Sequence, residues 1–194
     1  MDTEQFTIFI YFYSTVTQIA ATLVGFAVVF IIFQFQFLIN SIEKWSLFVV
    51  ENVNIGKTIN PDYYKSALSE TDLIVSQFST AMTDFEPKNI KNLAHCLYSE
   101  CELLFKGVLQ GSSIPDIFTC ASRIEKLVDK YYHLKNKTIC FFLTGATLIL
   151  LSLISHFVLN EKSICLHSII VFVIFAISIY FLISIYKIVK VTLF

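Results

Sequence analysis

QFTIFIYFYSTVTQIAATLVGFAVVFIIFQFQFLINSI, residues Gln5–Ile42, carries no charged side chain in 38 positions. The hydrocarbon core of a bilayer is about 30 Å thick and takes about 20 apolar residues of helix to cross. One span therefore fits inside this stretch with length to spare. Two further uncharged runs, Thr138–Asn160 (23 residues) and Ser163–Tyr186 (24 residues), are each long enough for one more. The opening run has no basic segment before it and is too long for a cleaved signal peptide, so it reads as a retained first span. Aromatic residues gather at its two ends, Phe6, Phe9, Tyr11, Phe12 and Tyr13 on one side and Phe33, Phe35 and Phe37 on the other. Such residues settle at headgroup depth, which places the hydrocarbon segment at about Phe12–Phe33.

Between the first and second runs the composition is that of a water-soluble protein. Residues 40–137 hold twelve acids and eleven bases, a net charge of −1 (11 − 12). Their apolar residues recur at helical spacing. Tyr64, Leu68, Thr71, Val75, Phe78, Met82 and Phe85 step 4,3,4,3,4,3; Ile90, Ala94, Leu97, Cys101, Leu104 and Val108 step 4,3,4,3,4. Ile117, Ala121, Ile124, Val128 and Tyr131 form a third seam. Asn60 with Pro61, and Pro87, read as helix starts, Gly111 as a stop and Pro115 as a third start. The pattern fails between Asn54 and Asp62, where Asn54 and Gly56 suggest a turn. No breaker separates the third seam from the second span, so one helix from about Pro115 to His156 is expected. An extension of the first span through Ser41–Val53 presents Ile42, Trp45, Phe48 and Val49 as a fourth face. The fold class is all-α: three transmembrane helices with a cytosolic antiparallel helical bundle. The expected division is 1–40 for the outer tail and first span, 41–137 for the bundle, and 138–194 for a hairpin of spans two and three.

Lys and Arg accumulate on cytoplasmic flanks. Residues 1–5 have none, the central region has eleven, and the turn between spans two and three has only Lys162. Lys187 and Lys190 follow span three. The expected topology is N-terminus out, centre in, hairpin out and C-terminus cytoplasmic, in a cell inner membrane. Arg123, Lys126, Lys130, Lys135 and Lys137 then lie against the membrane, suited to anionic lipid headgroups. The balanced charge argues against nucleic acid as a partner.

Within the spans the informative residues are small or polar. Ser14, Gln18, Ala21 and Gly25 step 4,3,4 on span one, with Thr22 beside them; Gly145, Ser152 and Ser155 make a similar stripe on span two. Such stripes admit close helix approach, and an amide in hydrocarbon seeks a hydrogen-bond partner. They read as helix-packing surfaces within or between subunits, or as the lining of a pore. The absence of Asp, Glu, Lys and Arg from all three runs disfavours a driven transporter, which needs a charged carrier group. His156 and His167 flank the outer hairpin and read as interfacial polar residues, with metal binding or a pH response as the sharper alternatives. Nucleophile elbow, zincin, Walker and dinucleotide fingerprints are all missing, and Cys96/Cys101 lacks zinc-ligand spacing. No cofactor, metal or catalysis is expected.

The segment Thr17-Gln18-Ile19-Ala20-Ala21-Thr22-Leu23-Val24-Gly25 resembles the opening helix of small prokaryotic multi-span membrane proteins, some of them found near anti-phage defence genes. That resemblance implies a prokaryotic inner membrane and a defence setting. Taken together, the sequence points to a non-enzymatic membrane protein that self-associates through its spans, a homo-oligomer in contact with lipid, whose bundle binds a cytosolic protein partner. A small passive channel or pore-forming effector is the alternative, and a membrane-bound enzyme the third, needing His95 or His133 to meet Glu100 and Glu102.

Overall fold

A computed structural model describes residues 3–59, 61–105, 117–158 and 164–193. They form five helices: α1 Thr3–Ile59, α2 Pro61–Thr83, α3 Pro87–Phe105, α4 Ile117–Val158 and α5 Ile164–Leu193. Among the described residues only Asp84–Glu86 are not helical. The expected start at Asn60, the stop at Gly111 and the start at Pro115 lie outside the described residues, whereas Pro61 and Pro87 open their helices as their fixed φ and missing N–H favour. Three of the helices contain stretches long and apolar enough to cross a membrane: Phe6–Ile55, Ile117–Ser155 and Cys165–Lys190. The chain is thus an all-helical, multi-pass membrane protein.

One expectation fails. Helix α1 does not break at Asn54 or Gly56 but continues to Ile59. A single glycine inside a helix costs about 1 kcal/mol relative to alanine, and Asn52 and Val53, both buried, fasten the preceding turn to its neighbours.

The chain divides into two compact units, residues 1–34 with 133–194, and residues 35–132. Helices α1 and α4 contribute to both. In the second unit, the later part of α1, α2, α3 and the start of α4 enclose one core. Its fully buried members include Ile42, Val49, Phe78, Ile90, Leu97 and Ile124. The described part of the anticipated seams supplies most of this core, joined by Val53, Ala81 and Cys120 from neighbouring positions; the side chains of Tyr64, Leu68, Cys101, Leu104 and Val108 lie outside the described residues. Each large apolar side chain withdrawn from water contributes about 1.5–3 kcal/mol, so this unit is held by ordinary hydrophobic burial. Contacts between the helices fix their directions. Phe35 meets Tyr131, and Arg123 lies over the Trp45 ring, so α1 and α4 run antiparallel. Lys91 reaches Glu125 and Asp129 while Tyr98 meets Phe118, so α3 and α4 do too. The result is an up-down-up-down four-helix bundle.

The α2–α3 connection is a Schellman closure. Glu86 N–H donates to the Ala81 carbonyl at 2.9 Å and Phe85 N–H to that of Met82 at 3.2 Å. Phe85 sits at φ 45°, a left-handed position that glycine usually fills. Its ring packs edge-on against Tyr131, centroids 5.6 Å apart, and this contact offsets the backbone cost. Replacing Phe85 with Ala should therefore be worse than replacing it with Gly: both lose the ring, but only Ala keeps the strain. A difference of about 1 kcal/mol is expected, read from thermal unfolding of the detergent-solubilised protein. Equal stability of the two variants would show that the backbone there is not strained.

In the first unit, the early part of α1 packs with α4 and α5. Buried positions recur every seven residues: Leu134, Phe141, Leu148 and Ser155 on α4, and His167, Ile174, Phe181 and Ile188 on α5. A seven-residue repeat keeps one face of each helix turned to its partners. Gly145 sits at the tightest point. A Cβ there would lie 3.0 Å from both Phe181 Cε2 and Val24 Cγ2, and Phe141 stacks on Phe181 at 5.0 Å. Helix α1 is antiparallel to α4 and parallel to α5, because Tyr13 meets Ser152 and His167, and Val24 meets the Gly145–Phe181 level. The outward faces are apolar, with Phe26, Leu143 and Phe172 64–74% exposed. Such surfaces belong in hydrocarbon.

Candidate functional site

Among the described residues of the span unit, a buried polar cluster with hydrogen bonds between helices is built from three residues, one per helix. Tyr13 of α1, Ser152 of α4 and His167 of α5 are all buried, with at most 1% exposure. The Tyr13 hydroxyl lies 3.0 Å from His167 Nδ1. Ser152 Oγ donates to the Tyr13 backbone carbonyl at 2.7 Å, and Thr17 Oγ1 donates to the same oxygen at 2.9 Å. The ring of Phe9, one turn earlier on α1, stacks on the imidazole with centroids 4.8 Å apart and planes at 16°. His167 Nε2 is buried with no hydrogen-bond partner. A neutral imidazole has one donor and one acceptor nitrogen, so whichever tautomer bonds Tyr13, the other nitrogen is left unsatisfied.

The local reasons are simple. Helical spacing puts Phe9 and Tyr13 on one face of α1, the same face that carries Ala20 and Ile31 into the bundle. His167 occupies the first turn of α5 at the head of its seven-residue repeat. Ser152 and Ser155 continue the stripe that begins at Gly145, and Ser155 Oγ is returned to its own helix at the Leu151 carbonyl.

The sequence-derived site residues separate into groups. Gly145, Ser152 and Ser155 on α4 are buried against α1 and α5. Ser14 is half-buried, and Gln18, Ala21, Thr22 and Gly25 are exposed. At 100° per residue these exposed residues centre roughly 140° away from the packed face of α1. A Cβ added at Gly25 would meet nothing within 4 Å. Of the basic residues, Arg123, Lys126 and Lys130 are exposed on the second unit, with Arg123 over Trp45 at 6.0 Å; Lys135 is exposed and Lys137 half-buried on the first. The side chain of His156 lies outside the described residues. Sequence reading underrated Tyr13 and His167. Their signal was an aromatic hydroxyl and an imidazole inside apolar runs, each of which fits an interfacial position equally well.

His95 Nε2 is 3.4 Å from Glu125 Oε2, and Lys91 Nζ bridges Glu125 and Asp129 at 3.0 Å each. The side chains of Glu100 and Glu102 lie outside the described residues, and His133 is exposed. Among the described residues no cluster of His, Cys, Asp and Glu has metal-binding geometry. The Lys91 ammonium holds the Glu125 carboxyl below its usual range, and the two acids raise Lys91 above its own. This is an ion-pair strap between α3 and α4. No protein-family model, curated protein or solved structure matches the chain.

Two outcomes test this geometry. Tyr13→Phe leaves both His167 nitrogens without a partner and should destabilise the protein by about 1–3 kcal/mol; adding His167→Phe should restore part of that loss. A double-mutant cycle by thermal unfolding in detergent reads the coupling, and strictly additive effects would rule it out. For the strap, Glu125 gains stability from its ionised form. That gain is full above its ordinary value of 4.5 and is lost as pH falls through the lower folded value. The Lys91 contribution is full below 10.5 and is lost as pH rises through its higher folded value. Lys91→Met should remove this part of the acid and alkaline loss together, visible as a flatter plot of melting temperature against pH.

Proposed function

We propose that this chain is a non-enzymatic inner-membrane protein that self-associates through α1 and carries its four-helix unit in the cytosol to engage a protein partner. The observation supporting self-association is the outward turn of the Gln18 face. The Thr22 hydroxyl is already satisfied by the Gln18 carbonyl at 2.8 Å, so the Gln18 side-chain amide is the polar group this face offers to hydrocarbon. An interhelical hydrogen bond in a membrane contributes about 0.6–2 kcal/mol. Around a two-fold axis each Gln18 donates to its counterpart and accepts from it, giving two such bonds. Ala21 and Gly25 beside it permit the backbones to approach. The cytosolic assignment rests on the bases of residues 40–137 and on Lys187 and Lys190. Partner binding is supported by Leu47, Leu73 and Phe118, which are 56–57% exposed on the water-soluble unit and offer apolar contact area. The likeness of Thr17–Gly25 to defence-associated membrane proteins extends the proposal to an anti-phage setting.

A second reading, a passive channel, draws on the same face. In a larger ring Ser14, Gln18 and Thr22 would turn hydroxyls and amides toward a common axis, a lining that needs no charged residue.

Native mass measurement in lipid discs separates these readings from a monomer. Wild type should be oligomeric, and Gln18→Leu should raise the dissociation constant about tenfold or more, as should Gly25→Leu by crowding the face. Gly145→Leu is the contrasting variant: it should lower the melting temperature by unpacking Val24 and Phe181. An unchanged oligomer in Gln18→Leu would refute the interface. Ion leakage from liposomes decides the channel, since silent vesicles holding an intact oligomer leave only the scaffold.

A further inference from the structure

We propose that Tyr13 and His167 form a proton-sensitive latch, in which neutral His167 holds the first turn of α5 against α1 and protonation releases it. This inference is independent of self-association, because every atom it uses lies within one chain.

Neutral His167 satisfies one nitrogen through Tyr13 at 3.0 Å and leaves Nε2 bare. Protonation makes both nitrogens donors. Tyr13 can rotate its hydroxyl to accept from Nδ1–H, but Nε2–H finds no acceptor, and the cation lies 1% exposed beneath the Phe9 ring. A buried charge without an opposite charge is costly. Among the described residues, the groups facing His167 supply none. From α1 the titratable neighbour is Tyr13, with Phe9 apolar and Glu4 exposed near the start of the helix. From α4 the described neighbours are Ser152, which is committed to the Tyr13 carbonyl, and Ser155, which is committed to Leu151. Within α5 itself Cys165 points outward. The imidazolium is therefore better accommodated in water, and it reaches water if the start of α5 leaves α1.

Position makes the movement feasible. His167 is in the first helical turn of α5, next to the connection from α4, so release requires displacement of a helix end and not of a whole span. Farther along, Phe181 stays locked against Phe141 and Gly145. Acid on the side of the membrane where α1 begins is the trigger. One proton linked to opening changes the ratio of released to packed forms by at most about tenfold per pH unit.

The test uses the full chain in lipid discs, with Glu4→Cys and the native Cys165 spin-labelled, the remaining cysteines replaced and the sample diluted with unlabelled protein. Pulsed electron resonance should show one short distance in alkaline buffer and a growing longer population as the pH is lowered. His156→Gln should behave like wild type, and His167→Gln should keep a single distance distribution at all pH values. Tyr13→Phe, which weakens the packed form without removing the imidazole, should move the transition to higher pH and keeps the test decisive if His167→Gln fails to fold. A distance independent of pH in wild type would overturn the latch. A transition that survives in His167→Gln, or one that vanishes in His156→Gln, would also overturn it, as would an unmoved midpoint in Tyr13→Phe.

Discussion

Burying leucine against leucine gains little when the alternative neighbour is a lipid tail. In the span unit the hydrophobic effect therefore cannot decide how α1, α4 and α5 meet; close contact and polar bonds must do so. Two levels supply them. At Gly145 the missing side chain lets Val24 and Phe181 approach so closely that a Cβ there would lie 3.0 Å from each and force them to shift. At Tyr13 one backbone carbonyl gathers Ser152 and Thr17 while the hydroxyl of the same residue reaches His167. Three helices thus converge on one tyrosine, and the seven-residue repeats between the two levels fill in around them.

The second unit has the composition of a water-soluble protein, and burial itself counts for more there. There Ile42, Phe78, Leu97 and Ile124 leave water, charged residues stay outside, and the Lys91 strap is an addition to a core that already specifies the bundle. The same two helices, α1 and α4, serve in both environments without interruption. Their sequences change from an uncharged run to an amphipathic seam because only the surrounding medium changes. This explains why Asn54 and Gly56 failed to stop α1: tertiary burial of Asn52 and Val53 outweighs the weak local preference of two turn-forming residues.

The polar residues of the spans differ in how readable they were. Helical spacing alone grouped Ser14, Gln18, Ala21 and Gly25, and separately Gly145, Ser152 and Ser155, because period 3.6 is a local property. Which group faces inward is not local. The α4 stripe closes on its neighbours, while the α1 face turns away from them, since Tyr13, Ala20 and Ile31 already fill the inward side. His167 shows the same limit more sharply. An imidazole beside a hairpin reads as an interfacial anchor, and nothing within a few residues of it announces a tyrosine 154 positions earlier.

By itself the sequence determined the helical class, the three spans, the amphipathic seams and the proline starts, because each follows from hydrophobic length, periodicity or a restricted dihedral within one segment. Tertiary structure alone decided that α1 runs unbroken to Ile59, that Phe85 adopts a left-handed conformation against Tyr131, and that Tyr13, Ser152 and His167 meet. Those outcomes depend on which surfaces remain for a side chain after its neighbours have packed, and that competition involves residues far apart in the chain.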